Sequence, residues 1–254
     1  MYFDSHAHYD DERFNEDRES LIESLREKGV DFIVNAAADM KSCYTSLALA
    51  EKYPFIYSSV GVHPHDVKDL TDADIEEMRK LAAHSKVVAI GEIGLDYYYD
   101  NSPREDQRKW FRVQLELAKE LDLPVIIHSR EASQETFDMI VESGVKEGVI
   151  HCFTGSYELA KEYVKRGFYL GIGGSLTFKN AKKAVEVVEG IDLKHLLIET
   201  DCPYLTPVPH RGERNDSSYL KFVVEKIAEI KGVSTDEVAK TSSDNAKKLF
   251  CIQE

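Results

Sequence analysis

Cysteine is scarce and scattered. Cys43, Cys152, Cys202 and Cys251 form no CxxC pair, which excludes a disulfide framework and a cysteine-based zinc site. No apolar run approaches the roughly 18 to 20 residues that cross a bilayer, so no membrane partner is expected. The opening residues Met1-Tyr2-Phe3-Asp4-Ser5-His6 lack a basic region followed by an apolar stretch; the expectation is a chain without a secretory signal, residing in the cytoplasm. No GxGxxG follows the first strand-like run, which argues against a dinucleotide-binding sheet, and Gly171, Gly173 and Gly174 come too late in the chain to supply one. No stretch rich in Pro, Gly or Ser divides the sequence and no segment is of low complexity, so a single domain over residues 1–254 is expected. Positive charge is also short. Thirty-two Lys and Arg against 46 Asp and Glu leave −14, which excludes a broad basic face that coats nucleic acid but not a cation-rich cleft that takes a short stretch of it.

What is present points to a sizeable folded core: 43% of residues are hydrophobic and 31% charged, which excludes a disordered chain. Short β-branched runs at 2–8, 31–37, 56–62, 87–94, 124–128, 148–153, 168–173 and 195–201 alternate with amphipathic helical stretches such as 12–28, 105–121 and 157–166. Two more helical stretches, 218–231 and 234–249, follow the last run. Spacings of about 25 to 35 residues are those of β-α units. Eight of them in a chain of 254 residues predict an α/β fold of the closed (β/α)8 TIM barrel type, with an open doubly wound sheet as the alternative.

Active sites of such barrels lie at the C-terminal ends of the strands. The polar residues there are His6, His8, His63, Glu92, His128, His151 and Asp201. His6 and His8 are two apart on one strand, so both imidazoles share a face. Any single strand histidine is as often a hydrogen-bonded core residue as a ligand. His6, His8, Glu92, His128, His151 and Asp201 arriving together from five strands make a bound cation the economical explanation, because such groups left unpaired in a core are expensive to desolvate. Imidazoles with carboxylates favour zinc, manganese, iron, cobalt or nickel over calcium. Six ligands exceed the needs of one tetrahedral zinc; they suit two ions roughly 3.5 to 4 Å apart that share a bridging carboxylate and hydroxide.

This ordered set resembles the amidohydrolase superfamily, and within it the TatD family of deoxyribonucleases along nearly the whole chain. The matching stretches are Phe3-Asp4-Ser5-His6-Ala7-His8, Gly61-Val62-His63-Pro64-His65, and Gly91-Glu92-Ile93-Gly94-Leu95-Asp96-Tyr97. They continue with Pro124-Val125-Ile126-Ile127-His128-Ser129-Arg130-Glu131-Ala132, His151-Cys152-Phe153-Thr154-Gly155, Glu199-Thr200-Asp201-Cys202-Pro203-Tyr204-Leu205, Arg211-Gly212 and Asn215. Asp216 departs from the family, where a proline near this point is common. The resemblance implies two divalent metal ions per chain (zinc, manganese or magnesium), the first on His6, His8 and Asp201, the second on His128 and His151, with Glu92 as the bridge. Glu92 in that role separates the chain from relatives that bridge with a carbamylated lysine. Asp201 would also accept the proton of the attacking water. The implied activity is hydrolysis of DNA phosphodiesters, as an exonuclease on single-stranded or frayed ends, with DNA as substrate and no stable protein partner. A small-molecule amidohydrolase, lactonase or phosphoesterase is the alternative, which the net charge favours, and a metal-binding scaffold is a third.

Around this set the expectations are weaker and each competes with a plain structural role. Asp4 and Glu199 are placed on the faces of His6 and Asp201, as groups that orient ligands. His63, Arg130, Lys179 and Arg211 are expected to contact substrate phosphates, with Arg214 and His65 as further rim residues. Tyr97, Tyr98 and Tyr99 offer an aromatic platform for a splayed base or mere rim packing. His84, His195 and His210 are read as having no catalytic part, and Cys152 and Cys202 as small core residues rather than nucleophiles. Two ions worth +4 against two ligand carboxylates predict a locally cationic cleft.

Overall fold

A computed structural model describes residues 1–253. Eight strands run parallel in the order of the chain: β1 (Tyr2–Ala7), β2 (Val30–Asn35), β3 (Ile56–Val60), β4 (Val87–Asp96), β5 (Val125–Arg130), β6 (Gly148–Ile150), β7 (Tyr169–Ile172) and β8 (Leu196–Ile198). β1 and β8 meet through an Ala7–Cys202 bridge, so the sheet is a nearly closed TIM barrel. The strands are buried on both faces, which is why they read as continuous apolar runs rather than alternating ones; all ten residues of β4 are buried.

Helices α1 (Arg18–Leu25), α2 (Met40–Lys52), α3 (Asp72–Ala82), α4 (Arg104–Leu121), α5 (Ser133–Ser143), α6 (Tyr157–Lys165), α7 (Lys182–Gly190), α8 (Leu220–Lys231) and α9 (Thr235–Leu249) follow the strands. The apolar stripes of α2–α9 join the outward side chains of the strands in one large core, while Ile22 and Leu25 of α1 pack with Tyr9, Phe14 and Ile33 in a separate cluster. The N-terminal end of the barrel is closed by Leu249, Phe250 and Ile252, packed on Phe3, Val34, Ile126, Val149 and Leu197. The opposite end, which carries Glu92 and Asp201, opens into a cleft.

Two expectations shift at element ends. The helix expected over 12–28 splits into a 3-10 turn at Glu12–Phe14 and α1, because Arg18 folds back onto the carbonyls of Tyr9, Asp10 and Asp11 and holds the intervening loop. The strands expected to reach residues 153 and 201 stop at Ile150 and Ile198, where Cys152 and Asp201 adopt positive φ of 45° and 54°. Position 216, where the family favours proline, carries an aspartate that caps the turn Ser217–Tyr219 ahead of α8. Among the described residues no helix is long and apolar enough to cross a membrane.

Candidate metal centre

Five strands deliver six side chains to the open end. Glu92, on β4, is their centre and is almost wholly buried. Around its carboxylate stand His128 Nδ1 at 2.9 Å, His151 Nε2 at 3.1 Å, His6 Nε2 at 3.2 Å and His8 Nε2 at 3.6 Å. Asp201 completes the set, 3.4 Å from His8 Nε2 and 3.8 Å from His6 Nε2. Backbone geometry explains part of the convergence. Gly94 has φ +149° and any Cβ there would lie 1.9 Å from the His128 carbonyl oxygen, so only glycine lets β4 lie this close to the strand carrying His128. Asp201 sits in the left-handed region, which aspartate tolerates better than bulkier residues.

The donor set fits a divalent cation. His8 Nδ1–H donates to the Ala36 carbonyl at 2.9 Å, which leaves the Nε2 lone pair directed at His6 Nε2, 3.0 Å away, and at the two carboxylates. Two imidazole nitrogens at that distance cannot both carry protons. Buried carboxylate oxygens and imidazole lone pairs facing one another need positive charge between them. Without a metal, protons supply it. Burial disfavours the charged imidazole of His8, yet Asp201 and Glu92 raise it to about 9. Burial likewise opposes charge on His151 and His128, and their carboxylate neighbours raise both. Burial pushes the Glu92 carboxyl up, but its imidazole neighbours, His151 foremost, hold it well below the usual range.

Surrounding groups fix these rings. Glu199 Oε1 accepts the Cys152 N–H and stands 3.4 Å from His151 Nδ1, within ion-pair range but not aligned as a hydrogen bond. Its place is kept open by Gly171, where a Cβ would lie 2.2 Å from Glu199 Oε2. Asp4 does not share this duty. Its Oδ1 accepts the backbone N–H groups of His6 and Thr200 at 3.4 and 3.0 Å, a contact with the main chain and not with an imidazole ring. Asp4 also accepts from the hydroxyls of Thr200 and Ser217, both at 2.6 Å. Asp96, to which the sequence reading gave no role, is fully buried and accepts from His65 Nε2 at 2.9 Å, His128 Nε2 at 3.1 Å and the N–H groups of Tyr98 and Tyr99. The signal was available: Glu92, Gly94 and Asp96 alternate along one strand and therefore share a face.

His63 enters the cluster, with Nε2 3.5 Å from Glu92. Its Nδ1 accepts the His65 backbone N–H at 3.2 Å, and burial with the neighbouring His128 lowers its pKa well below the ordinary value. It is therefore neutral with the proton on Nε2, a donor aimed into the site rather than a lone pair. Cys202 is buried in a cluster with Tyr9 and Phe14, and burial pushes the Cys152 thiol up to about 12; neither is a thiolate.

A cleft of about 620 Å³ opens over these residues. Arg130 and Tyr99 line it, whereas Lys179 and Arg211 stand exposed outside its lining. Arg214 is held by Asp17 in a two-pronged pair at 2.6 and 2.7 Å. The expectation of a cationic cleft is overturned. Asp10, Asp11, Asp39, Asp66, Glu92, Asp96 and Asp201 all line it, against Arg130 in the lining and Arg13 paired with Asp11 beside it, so two divalent ions would still leave the balance one charge negative. The loop carboxylates after β1, β2 and β3 carry no periodicity that marks them as cleft residues, and for that reason they escaped the count.

Residues 3–251 match the family model described as TatD related DNase. The uncharacterized metal-dependent hydrolase YabD of Bacillus subtilis is 48% identical, over 99% of this chain and 100% of its own. YcfH of Escherichia coli, named in the same way, is 36% identical over 98% of this chain and 95% of its own. The crystal structure of YjjV, a TatD homologue from Escherichia coli, superposes with a TM-score of 0.94 at 32% identity, covering 99% of this chain and 98% of that one. With that likeness over its whole length, and with the six donors gathered at the open end of its barrel, the chain belongs to the TatD family of metal-dependent hydrolases.

Proposed function

We propose that the protein is a phosphodiesterase acting on DNA, an exonuclease that trims single-stranded or frayed ends, with two divalent ions held by His6, His8, Asp201, His128, His151 and the shared Glu92. The observation that carries the reading is the junction of this donor set with an arginine–tyrosine wall in one cleft: Arg130 lies 4.1 Å from the Tyr98 ring centroid and 4.6 Å from that of Tyr99. A guanidinium and exposed aromatic faces beside a hydrolytic centre suit a phosphate flanked by a base. When bound, the ions supply Lewis acidity to the phosphate oxygens and make the attacking water more acidic.

The chain's own groups do the rest. Asp201, held ionised against burial by His8, His151 and His6, takes the proton of the attacking water. The Nε2–H of His63 donates to a phosphate oxygen. Arg130 holds the next phosphate, and Glu199 and Asp96 keep His151 and His128 in orientation. A strand fed end-first can reach residues at the floor of this cleft, whereas a continuous duplex is too wide and rigid.

One observation favours a second reading. The carboxylates of Asp10, Asp39 and Asp66 on the cleft wall repel a polyanion and suit a small hydrolase substrate, a lactone or cyclic amide. Turnover by the metal-loaded protein on single-stranded oligonucleotides and on a panel of lactones and cyclic amides separates the two. DNA cleavage is expected; turnover of the small compounds with none of DNA would move the function to the second reading.

A further inference from the structure

Guanidinium–aromatic stacks stand at two opposite sides of the cleft. On one side is Arg130 with Tyr98 and Tyr99, following β5 and β4. On the other, Arg13 lies 4.0 Å from the ring centroid of Tyr204, in the segments that follow β1 and β8. In a barrel whose strands run in sequential order and close between β8 and β1, those two pairs of strands face each other across the mouth. Tyr204 and Leu205 line the cleft there, as Tyr99 and Arg130 do opposite, and Glu92 with its imidazoles lies between.

Tyr204 does not behave as a packing residue. It is 46% exposed and Leu205 beside it is 36% exposed. Yet the ring is held. Its hydroxyl reaches Asp11 Oδ2 at 3.2 Å, Arg13 Nε reaches Asp11 Oδ1 at 3.2 Å, and the Arg13 guanidinium covers the ring. Ordering an exposed tyrosine and an exposed arginine costs side-chain entropy that little buried area offsets. The same contacts neutralise Asp11, one of the carboxylates that would repel an anionic ligand on this wall.

We propose that Tyr204, braced by Arg13 and Asp11, is a stacking subsite for a nucleobase on the far side of the scissile phosphate from Tyr98, Tyr99 and Arg130. The cleft would then grip one nucleotide on each side of the bond it breaks. This rests on the DNA reading above, and adds that recognition is by base stacking on both sides, without sequence preference, because every base offers a π-face.

The test uses the full-length, metal-loaded protein and dinucleotides in which one base or the other is replaced by an abasic sugar. In the unsubstituted protein each loss lowers kcat/KM by about 10-fold, the scale of one stacked base. In Tyr204→Leu, loss of one particular base costs nothing further, while loss of the other still costs about 10-fold; Tyr204→Phe restores the discrimination. With 2-aminopurine at the discriminating position, fluorescence falls on binding the unsubstituted protein and not on binding Tyr204→Leu. Should Tyr204→Leu not fold, Arg13→Gln, a change at an exposed side chain, carries the same comparison. Full discrimination against both abasic dinucleotides in Tyr204→Leu, or indifference to both in the unsubstituted protein, overturns the subsite. Absence of cleavage of any dinucleotide by the unsubstituted protein removes the DNA reading itself, and the subsite with it.

Discussion

Asp201 shows how far a single residue can be asked to serve both backbone and chemistry. Its φ of 54° suits Asp or Asn but not a β-branched residue, so Asp201→Asn should fold normally and keep an oxygen donor. Turnover is then expected to drop by about 10²-fold or more, the scale of a lost general base. Near-normal turnover in a metal-loaded Asp201→Asn protein, measured beside its melting curve, would assign the base elsewhere. Protonation of the imidazoles gives a second prediction. In the metal-free protein His8 is raised to about 9 and His151 is raised well above its ordinary value, so these two rings carry protons at pH 7 that a cation must displace; His128 is raised as well. Metal affinity should therefore strengthen as pH rises toward about 9, with protons released on binding. The same rise means that His8 stabilises the metal-free fold fully below its unfolded pKa of roughly 6.5, and that this stability is lost as pH climbs through about 9. Calorimetric metal titrations in buffers of different ionisation enthalpy measure the protons released; an affinity that falls with rising pH would contradict the assignment.

At the level of elements, the apolar runs announced the strands because parallel barrel strands are buried on both faces, and the HxH pair announced the first chelating edge because alternation is a local rule. Where locality failed, so did the reading. Asp4 accepts from the hydroxyls of Thr200 and Ser217, both distant in the chain, and not from an imidazole ring. His151 and Asp201 were found by position in the pattern although β6 and β8 end before them. Asp96 went unassigned because its donors, His65 and His128, come from other elements. The acidic wall was invisible for a similar reason, since its members are loop residues with separate local duties. Asp39 caps α2, accepting the Ser42 N–H at 2.6 Å while the Ser42 hydroxyl caps back. Asp39→Ala is expected to cost about 1 kcal/mol, a drop of about 2 to 4 °C in Tm for a chain of this size. Asp39→Ser should keep the cap while removing one negative charge from the cleft. Oligonucleotide KM should fall in Asp39→Ser with Tm nearly unchanged; an unchanged KM would mean that the acidic wall does not face the substrate.

For the whole molecule the net charge of −14 and the seven carboxylates of the cleft pull in the same direction, against a long polyanion. DNA is compatible with both if contact is limited to an end: a few nucleotides held by Arg130 and the tyrosines, with the rest of the strand in solvent. Salt dependence should then be shallow, and shallower still in Arg130→Gln, because few phosphates are neutralised. A metal-dependent centre reached only by a strand end can be checked in one assay. Linear single-stranded DNA and the same sequence sealed as a circle are offered to protein exhaustively chelated and to the same protein reloaded with a divalent metal. The chelated protein is expected to cut neither, and the reloaded protein to degrade the linear strand to mononucleotides and leave the circle intact. Cleavage by the chelated protein, or equal cleavage of circle and linear strand, would contradict this reading.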